Sequence, residues 1–320
     1  MELLKNIGLC ALGVACLYFG ADYLIKGGVA IAKKLGVSPL LIGLTLVAFG
    51  TSAPELVVSI QAALNNSGDI AVGNVVGSNI CNIVLILGLC ALLKPIPTNT
   101  KLFKLDMPLL LGISILFAIF YFLDGRGLNF WQGAVMFSIL IIYCVWSFYQ
   151  DKKTGSGELA AVAEENSSDS PCPVWLALIM AVGGLAALVL GAKSFVSSAI
   201  YFASAMGVSQ AVIGLTIVAL GTSLPELATS VVATLKGERD IAVGNVVGSN
   251  IFNILAIMGI APMVSTLHAP NVSMVDLVTM LALVPMLWVM MATGKKVSRL
   301  EGAIMLVIYC GYTAWLFIQQ

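Results

Sequence analysis

VSPLLIGLTLVAFGTSAPELVVSIQAAL runs from Val37 to Leu64, and VSQAVIGLTIVALGTSLPELATSVVATL answers it from Val208 to Leu235, 171 residues further on. The same shift lays DIAVGNVVGSNICNI, from Asp69, over DIAVGNVVGSNIFNI, from Asp240. Between Val37 and Cys90 the copies agree at 33 of 54 gapless positions, far more than two merely apolar segments share by chance. The register reaches weakly into an earlier segment, where Gly13, Ala15, Leu17, Gly20 and Ala21 meet Gly184, Ala186, Leu188, Gly191 and Ala192. The chain is thus a duplication, with the motif at 43–83 in one copy and 214–254 in the other.

What surrounds the motifs is apolar. Of the 320 residues 59% are hydrophobic and only 10% charged, which excludes an ordinary soluble enzyme. Apolar runs long enough for a bilayer predict ten membrane helices, near 7–25, 39–64, 70–93, 107–123, 129–149, 174–192, 210–235, 241–264, 274–292 and 301–318. The longest polar stretch, 151–173, carries Gly, Pro and charges of both signs and reads as a linker. The expected domains are a five-helix repeat over 1–150, the linker, and a second five-helix repeat over 174–320. Formal net charge is zero and no basic face carries interleaved aromatics, so nucleic acid is not an expected partner. No obligatory protein partner is evident; the bilayer is the surrounding medium. The seven cysteines lack metal or disulfide spacing and read as free thiols.

Five helices per repeat is an odd number, so a linker with both ends on one side forces the second repeat to enter the membrane inverted. Lysines and arginines test the topology. Thirteen lie in loops after the first, third, fifth, seventh and ninth helices, against three on the other side, Lys5, Arg126 and Lys193. The positive-inside rule then puts the linker in the cytoplasm and both termini outside.

Most acidic residues, including Asp22, Asp106, Asp124 and Asp276, fall at predicted helix ends or in loops. Glu55 and Glu226 do not. A charge at a helix centre costs on the order of 2.5–3.5 kcal/mol even on the mildest insertion scale, and here it recurs at matching places. In GTSAPE (50–55) and GTSLPE (221–226), Thr51 and Glu55, like Thr222 and Glu226, share a helical face, with Ser52 and Ser223 alongside. Pro54 and Pro225 remove a backbone donor and Gly50 and Gly221 loosen the chain, which predicts a break that frees carbonyl oxygens. Interrupted segments at corresponding places point to a transporter's binding site. In GNVVGSN, Gly73 and Gly77, with Gly244 and Gly248, allow close helix approach. Ser78 and Asn82, with Ser249 and Asn253, lie four apart beyond them; Asn74, Asn79, Asn245 and Asn250 face elsewhere and are assigned to packing. Carboxylates, hydroxyls, amide oxygens and freed carbonyls make an all-oxygen cage, which suits Ca²⁺ or Na⁺ better than Mg²⁺, with its tight octahedron.

At these two segments the chain resembles the cation/Ca²⁺ exchanger superfamily, whose paired repeats carry this GTSxPE and GNxxGSNI pattern, and it is most similar to the prokaryotic Na⁺/Ca²⁺ exchangers. The resemblance implies an all-α fold of ten transmembrane helices in two inverted repeats, with the second, third, seventh and eighth broken or kinked around a central ion cluster. It implies that Glu55 and Glu226 bind Ca²⁺ and share Na⁺, with Thr51, Ser52, Thr222 and Ser223 contributing oxygens. Ser78, Ser249 and the carbonyls of Ala48 and Ala219 would complete flanking Na⁺ sites, and Asn82 would line the middle. Some members carry an aspartate where Asn253 stands, so the cage here is less acidic. Proton-coupled relatives carry a glutamate shortly after the GN, where this chain has Val75, Val76 and Gly77. The family picture also makes the first and sixth helices a sliding pair, to which Gly13, Gly20, Gly184 and Gly191 are suited.

The reading these observations give is a secondary antiporter in a prokaryotic plasma membrane, exchanging inward Na⁺ for outward Ca²⁺ by alternating access, with no cofactor beyond the transported ions. A proton-coupled antiporter of the same fold is the nearest alternative, and a passive cation channel a more distant one. An intramembrane enzyme is disfavoured, because no nucleophile and base or metal-ligand set appears.

Overall fold

The computed structural model describes residues 2–153, 172–207 and 219–318. The linker expected at 151–173 and the first half of the helix expected at 210–235 lie largely outside the described residues. What is described is helical apart from two-residue strands. The elements are α1 (Glu2–Leu35), α2 (Pro39–Thr51), α3 (Ala53–Leu64), α4 (Gly68–Leu93), α5 (Leu102–Leu123), α6 (Phe130–Lys153), α7 (Val174–Ala205), α8 (Ala219–Gly221), α9 (Leu224–Lys236), α10 (Arg239–Val264), α11 (Met274–Ala292) and α12 (Arg299–Ile318). Among the described residues, seven stretches of helix are long and apolar enough to cross a membrane, eight if α2 and α3 count as one bent span.

Proline and glycine place the bend. Ser52 leaves helical geometry (φ −81°, ψ 4°), Pro54 sits in the first turn of α3, and the chain turns by 46°. The same pattern ends α8 and starts α9, with Ser223 at φ −87°, ψ 5° and Pro225 in the first turn. The third and eighth expected helices, α4 and α10, continue as helix and widen into π-helical turns at Cys81–Leu87 and Asn253–Ile257, a local irregularity that often marks functional sites.

α1 is a second departure. The hydropathy reading stops at 25, but the helix continues to Leu35, so its 34 residues span about 50 Å against a hydrocarbon core of about 30 Å. Asp22, expected at a helix end, therefore lies within α1, where it is buried and ion-paired to Lys26 and to Lys236 at the end of α9. α1 packs along α7 in antiparallel register. A Cβ on Gly13 would lie 2.8 Å from Phe195 N, one on Gly20 2.8 Å from Gly184 O, and one on Gly27 2.6 Å from Ala177 O. These two corresponding helices of the repeats thus run in opposite directions, with backbones as close as glycine permits.

Loops sort onto two faces. On one, β1 (Ile96–Pro97) pairs with β4 (Lys296–Val297), Lys94 Nζ donates to Leu235 O at 2.8 Å, and Asp151 accepts from Ser38 N at 2.6 Å. These are loops after the first, third, fifth, seventh and ninth expected spans, the lysine-rich set. On the other, β2 (Gly127–Leu128) pairs with β3 (Leu267–His268) and Asp69 accepts from Asn271.

Candidate functional site

The bends of α2–α3 and α8–α9 bring GTSAPE and GTSLPE together in the core. Glu55 and Glu226 are 0% and 1% exposed. Each is wired to the other repeat. Ser223 Oγ donates to Glu55 Oε1 at 3.1 Å, and Ser52 Oγ donates to Glu226 Oε1 at 2.9 Å. Ser223 Oγ also lies 3.4 Å from Ser78 Oγ, which brings α4 to the same point.

The glutamate backbones are braced by side chains read as packing residues. Asn74 Nδ2 donates to Glu55 O at 3.2 Å and to Ser59 Oγ at 3.0 Å. Asn245 Nδ2 repeats this with Glu226 O at 3.4 Å and Ser230 Oγ at 2.9 Å. The asparagines thus hold each glutamate's backbone from the adjoining helix, while Pro54 and Pro225 withhold a donor from the turn before. Thr51 Oγ1 donates to Asn245 Oδ1 at 3.0 Å and lies 3.3 Å from Ala48 O, which ties the first repeat's break to the second repeat's brace.

Where α4 and α10 widen, two amide pairs cross between the repeats. Asn82 Nδ2 donates to Asn250 Oδ1 at 3.2 Å, and Asn253 Nδ2 donates to Asn79 Oδ1 at 3.0 Å. Asn79 and Asn250 are thereby drawn against the expected site residues. Sequence alone could not find this pairing, because helical spacing separates the two asparagines of one helix and says nothing of the partner helix.

The cage has more buried oxygens than donors. Glu55 Oε2, Glu226 Oε2, Thr222 Oγ1, Ser249 Oγ, Asn82 Oδ1 and Asn253 Oδ1 are buried and lack a hydrogen-bond partner among the described residues. Buried polar atoms are almost always satisfied, so six orphans on six of the expected residues fit a set that binds hard cations. Of the expected ligands, Ala48 is fully buried, and Ala219 opens α8, where only its backbone is described.

The comparisons with known proteins follow the same lines. A family model described as "Sodium/calcium exchanger protein" matches residues 5–149 and 176–318. The chain is 39% identical over 309 residues to a putative antiporter CaxA of Alkalimonas amylolytica, covering 95% of this chain and 96% of that one. It is 35% identical over 344 residues to the sodium/calcium exchanger MaX1 of Methanosarcina acetivorans, covering 98% of each. Among solved structures, the sodium-calcium exchanger NCX_Mj superposes with a TM-score of 0.82 at 33% identity, covering 98% of this chain and 99% of that one.

Proposed function

The chain belongs to the sodium/calcium exchanger family and is an integral membrane secondary transporter, and from that premise we propose that it moves Ca²⁺ outward against Na⁺ entering down its gradient, at the cage around Glu55 and Glu226. The observation that carries this is the cross-wired carboxylate pair, in which each glutamate takes one hydroxyl from the opposite repeat and keeps its second oxygen unpaired.

Two carboxylates away from water are unfavourable when empty, and one Ca²⁺ or a set of Na⁺ relieves this. The ions compete for the same oxygens, and that competition is the exchange. Thr51, Ser52, Thr222, Ser223, Ser78, Ser249, Asn82 and Asn253, with the carbonyls of Ala48 and Ala219, supply the neutral ligands. Because the glutamates are wired across the repeats, a rearrangement of one repeat against the other changes both carboxylates' surroundings. The glycine-lined contact of α1 with α7 is smooth enough to serve as the sliding surface for alternating access. Repeats over 1–150 and 174–320, the linker 151–173 in the cytoplasm and both termini outside a prokaryotic plasma membrane complete the reading. The gap in the family match between 149 and 176 and the lysine-rich loop face support it.

The test is radioactive Ca²⁺ uptake into proteoliposomes loaded with Na⁺ and diluted into Na⁺-free buffer, beside a set carrying only a pH gradient. Uptake on the Na⁺ gradient alone is the expected result. Uptake on the pH gradient alone would reassign the coupling ion, and uptake with neither gradient would make the protein a channel.

A further inference from the structure

Away from the central cage, another buried carboxylate is incompletely satisfied. Asp106, in the second turn of α5 near the lysine-rich face, is 0% exposed. Its Oδ1 accepts from Tyr143 Oη of α6 at 3.0 Å, while Oδ2 has no partner among the described residues. No ammonium or guanidinium lies within 4 Å of it among the described residues, although Lys101 on the preceding turn is paired to Asp151 at 3.2 Å. Ser147 is also 0% exposed with its Oγ unpartnered. Tyr143, Ser147 and Asp151 follow one another at four-residue spacing on one face of α6. Since Tyr143 touches Asp106 and Asp151 touches Lys101, Ser147 between them faces the same turn of α5.

The second repeat supplies a control. GAVMFSILIIYCVWSFYQ, from Gly133, aligns without gaps on GAIMLVIYCGYTAWLFIQ, from Gly302, so Tyr143 corresponds to Tyr312 and Ser147 to Leu316. Tyr312 Oη donates to Asp276 Oδ1 at 2.7 Å, which is the Asp–Tyr bond of the first repeat over again. Asp276, however, is only partly buried, and neither of its oxygens is both buried and unpartnered. The Asp–Tyr bond is therefore a shared structural tie. The additional buried oxygens belong to the first repeat alone.

We propose that Asp106 Oδ2 and Ser147 Oγ hold a small monovalent cation at the α5–α6 seam, separate from the transport cage. One carboxylate and a hydroxyl match one positive charge and a set of hard oxygens; a divalent ion would lack a second free carboxylate. The two orphan oxygens do not hydrogen-bond each other, and a cation held on the carboxylate with the hydroxyl as a neutral ligand would satisfy both.

The experiment uses the full chain with Glu55→Gln and Glu226→Gln, which removes the carboxylates of the central cage, and follows the thermal unfolding midpoint as NaCl replaces choline chloride at constant ionic strength. The expected result is a rise of about 2 °C for each tenfold increase in Na⁺ above half-saturation. Asp106→Asn, which keeps an acceptor for Tyr143, is expected to remove that rise, and Asp276→Asn to leave it. Should Asp106→Asn fail to fold, Ser147→Ala reads the same site, with the half-saturating Na⁺ concentration raised several-fold. A flat midpoint in Na⁺, a midpoint that moves with pH but not with Na⁺ (a bound water beside a protonated carboxyl), or an unchanged Na⁺ response in Asp106→Asn would each overturn the proposal. A Na⁺ response that survives Asp106→Asn points instead to residual binding in the central cage, so failure here is distinct from failure of the transport reading.

Discussion

At the centre of the molecule the two repeats are near copies of each other, and at their lysine-rich ends they are not. Around the glutamates three pairs of bonds repeat 171 residues on, namely Ser223 to Glu55 and Ser52 to Glu226, Asn74 to Glu55 O and Asn245 to Glu226 O, Asn82 to Asn250 and Asn253 to Asn79. Thr51 to Asn245 and Ser223 to Ser78 are not matched, Thr222 Oγ1 and Ser249 Oγ being unpartnered among the described residues. At the periphery the counterpart of Asp22 is Lys193 and that of Lys236 is Asn65, so an ion pair in one half has no equivalent in the other. A site reached in turn from two sides needs equivalent halves, whereas the surroundings that set its resting orientation do not.

The largest effect is expected where symmetry is tightest. Glu55→Gln and Glu226→Gln should each abolish Na⁺-driven Ca²⁺ uptake, by at least about 100-fold, since each removes half the charge that neutralises the ion at about 1.4 kcal/mol per decade. Both proteins should still elute as folded species. If one variant keeps more than a tenth of the uptake, the two carboxylates are not equivalent.

Ser52→Ala and Ser223→Ala come next. Each removes a hydroxyl donated to the opposite glutamate, a hydrogen bond to a charged group worth about 1.5–3 kcal/mol, so apparent Ca²⁺ affinity should fall by about 10- to 100-fold in both. Unequal losses would locate an asymmetry inside the cage, and Ser78, which only Ser223 approaches, is where we would look first.

Much of this was legible in the sequence because duplication and chemistry coincide there. A glutamate after a proline in an apolar run, found twice, identifies the carboxylates and the break before them. Cross-repeat bonds were illegible, since Ser52 and Glu226 are 174 residues apart and meet only through inversion. The π-helical form of α4 and α10 was not legible because hydropathy does not distinguish a π-turn from an α-turn; it accompanies asparagines turned toward a partner helix. The length of α1 was missed because hydropathy marks the edge of the hydrocarbon and not the end of the helix. That error concealed Asp22, which looked terminal while being buried.

The α1–α7 contact sharpens the comparison at smaller scale. A Cβ on Gly184 would come 2.6 Å from both Gly20 O and Leu24 N, whereas one on neighbouring Gly183 meets nothing within 4 Å. Gly184→Ala should destabilise by about 1–3 kcal/mol and slow exchange, as expected of overpacking. Gly183→Ala should be neutral or stabilise by a few tenths to about 1 kcal/mol, as alanine is the better helix former. Thermal midpoints and uptake rates of the pair, measured together, separate the two outcomes, and equal behaviour would mean that the close backbone approach is not required.

The smallest effect concerns the ion pair without a counterpart. Asp22 and Lys236 side chains are 11% and 31% exposed, so water screens their attraction in part and Asp22→Asn should cost only about 1 kcal/mol of stability. Its larger consequence is conformational. The pair joins α1 to the end of α9, and under the proposed sliding of α1 it must break, so its loss should favour the other orientation by a similar energy, about a fivefold change in the balance. Labelling of a single cysteine introduced on one face, with and without Asp22→Asn, measures that balance. Exchanging the charges, Asp22→Lys with Lys236→Asp, should restore it in part, since Lys26 would then oppose the new lysine at the position it now neutralises. If the exchanged protein behaves as the sum of its single changes, the two residues do not act as a pair, and the asymmetry of the repeats has another source.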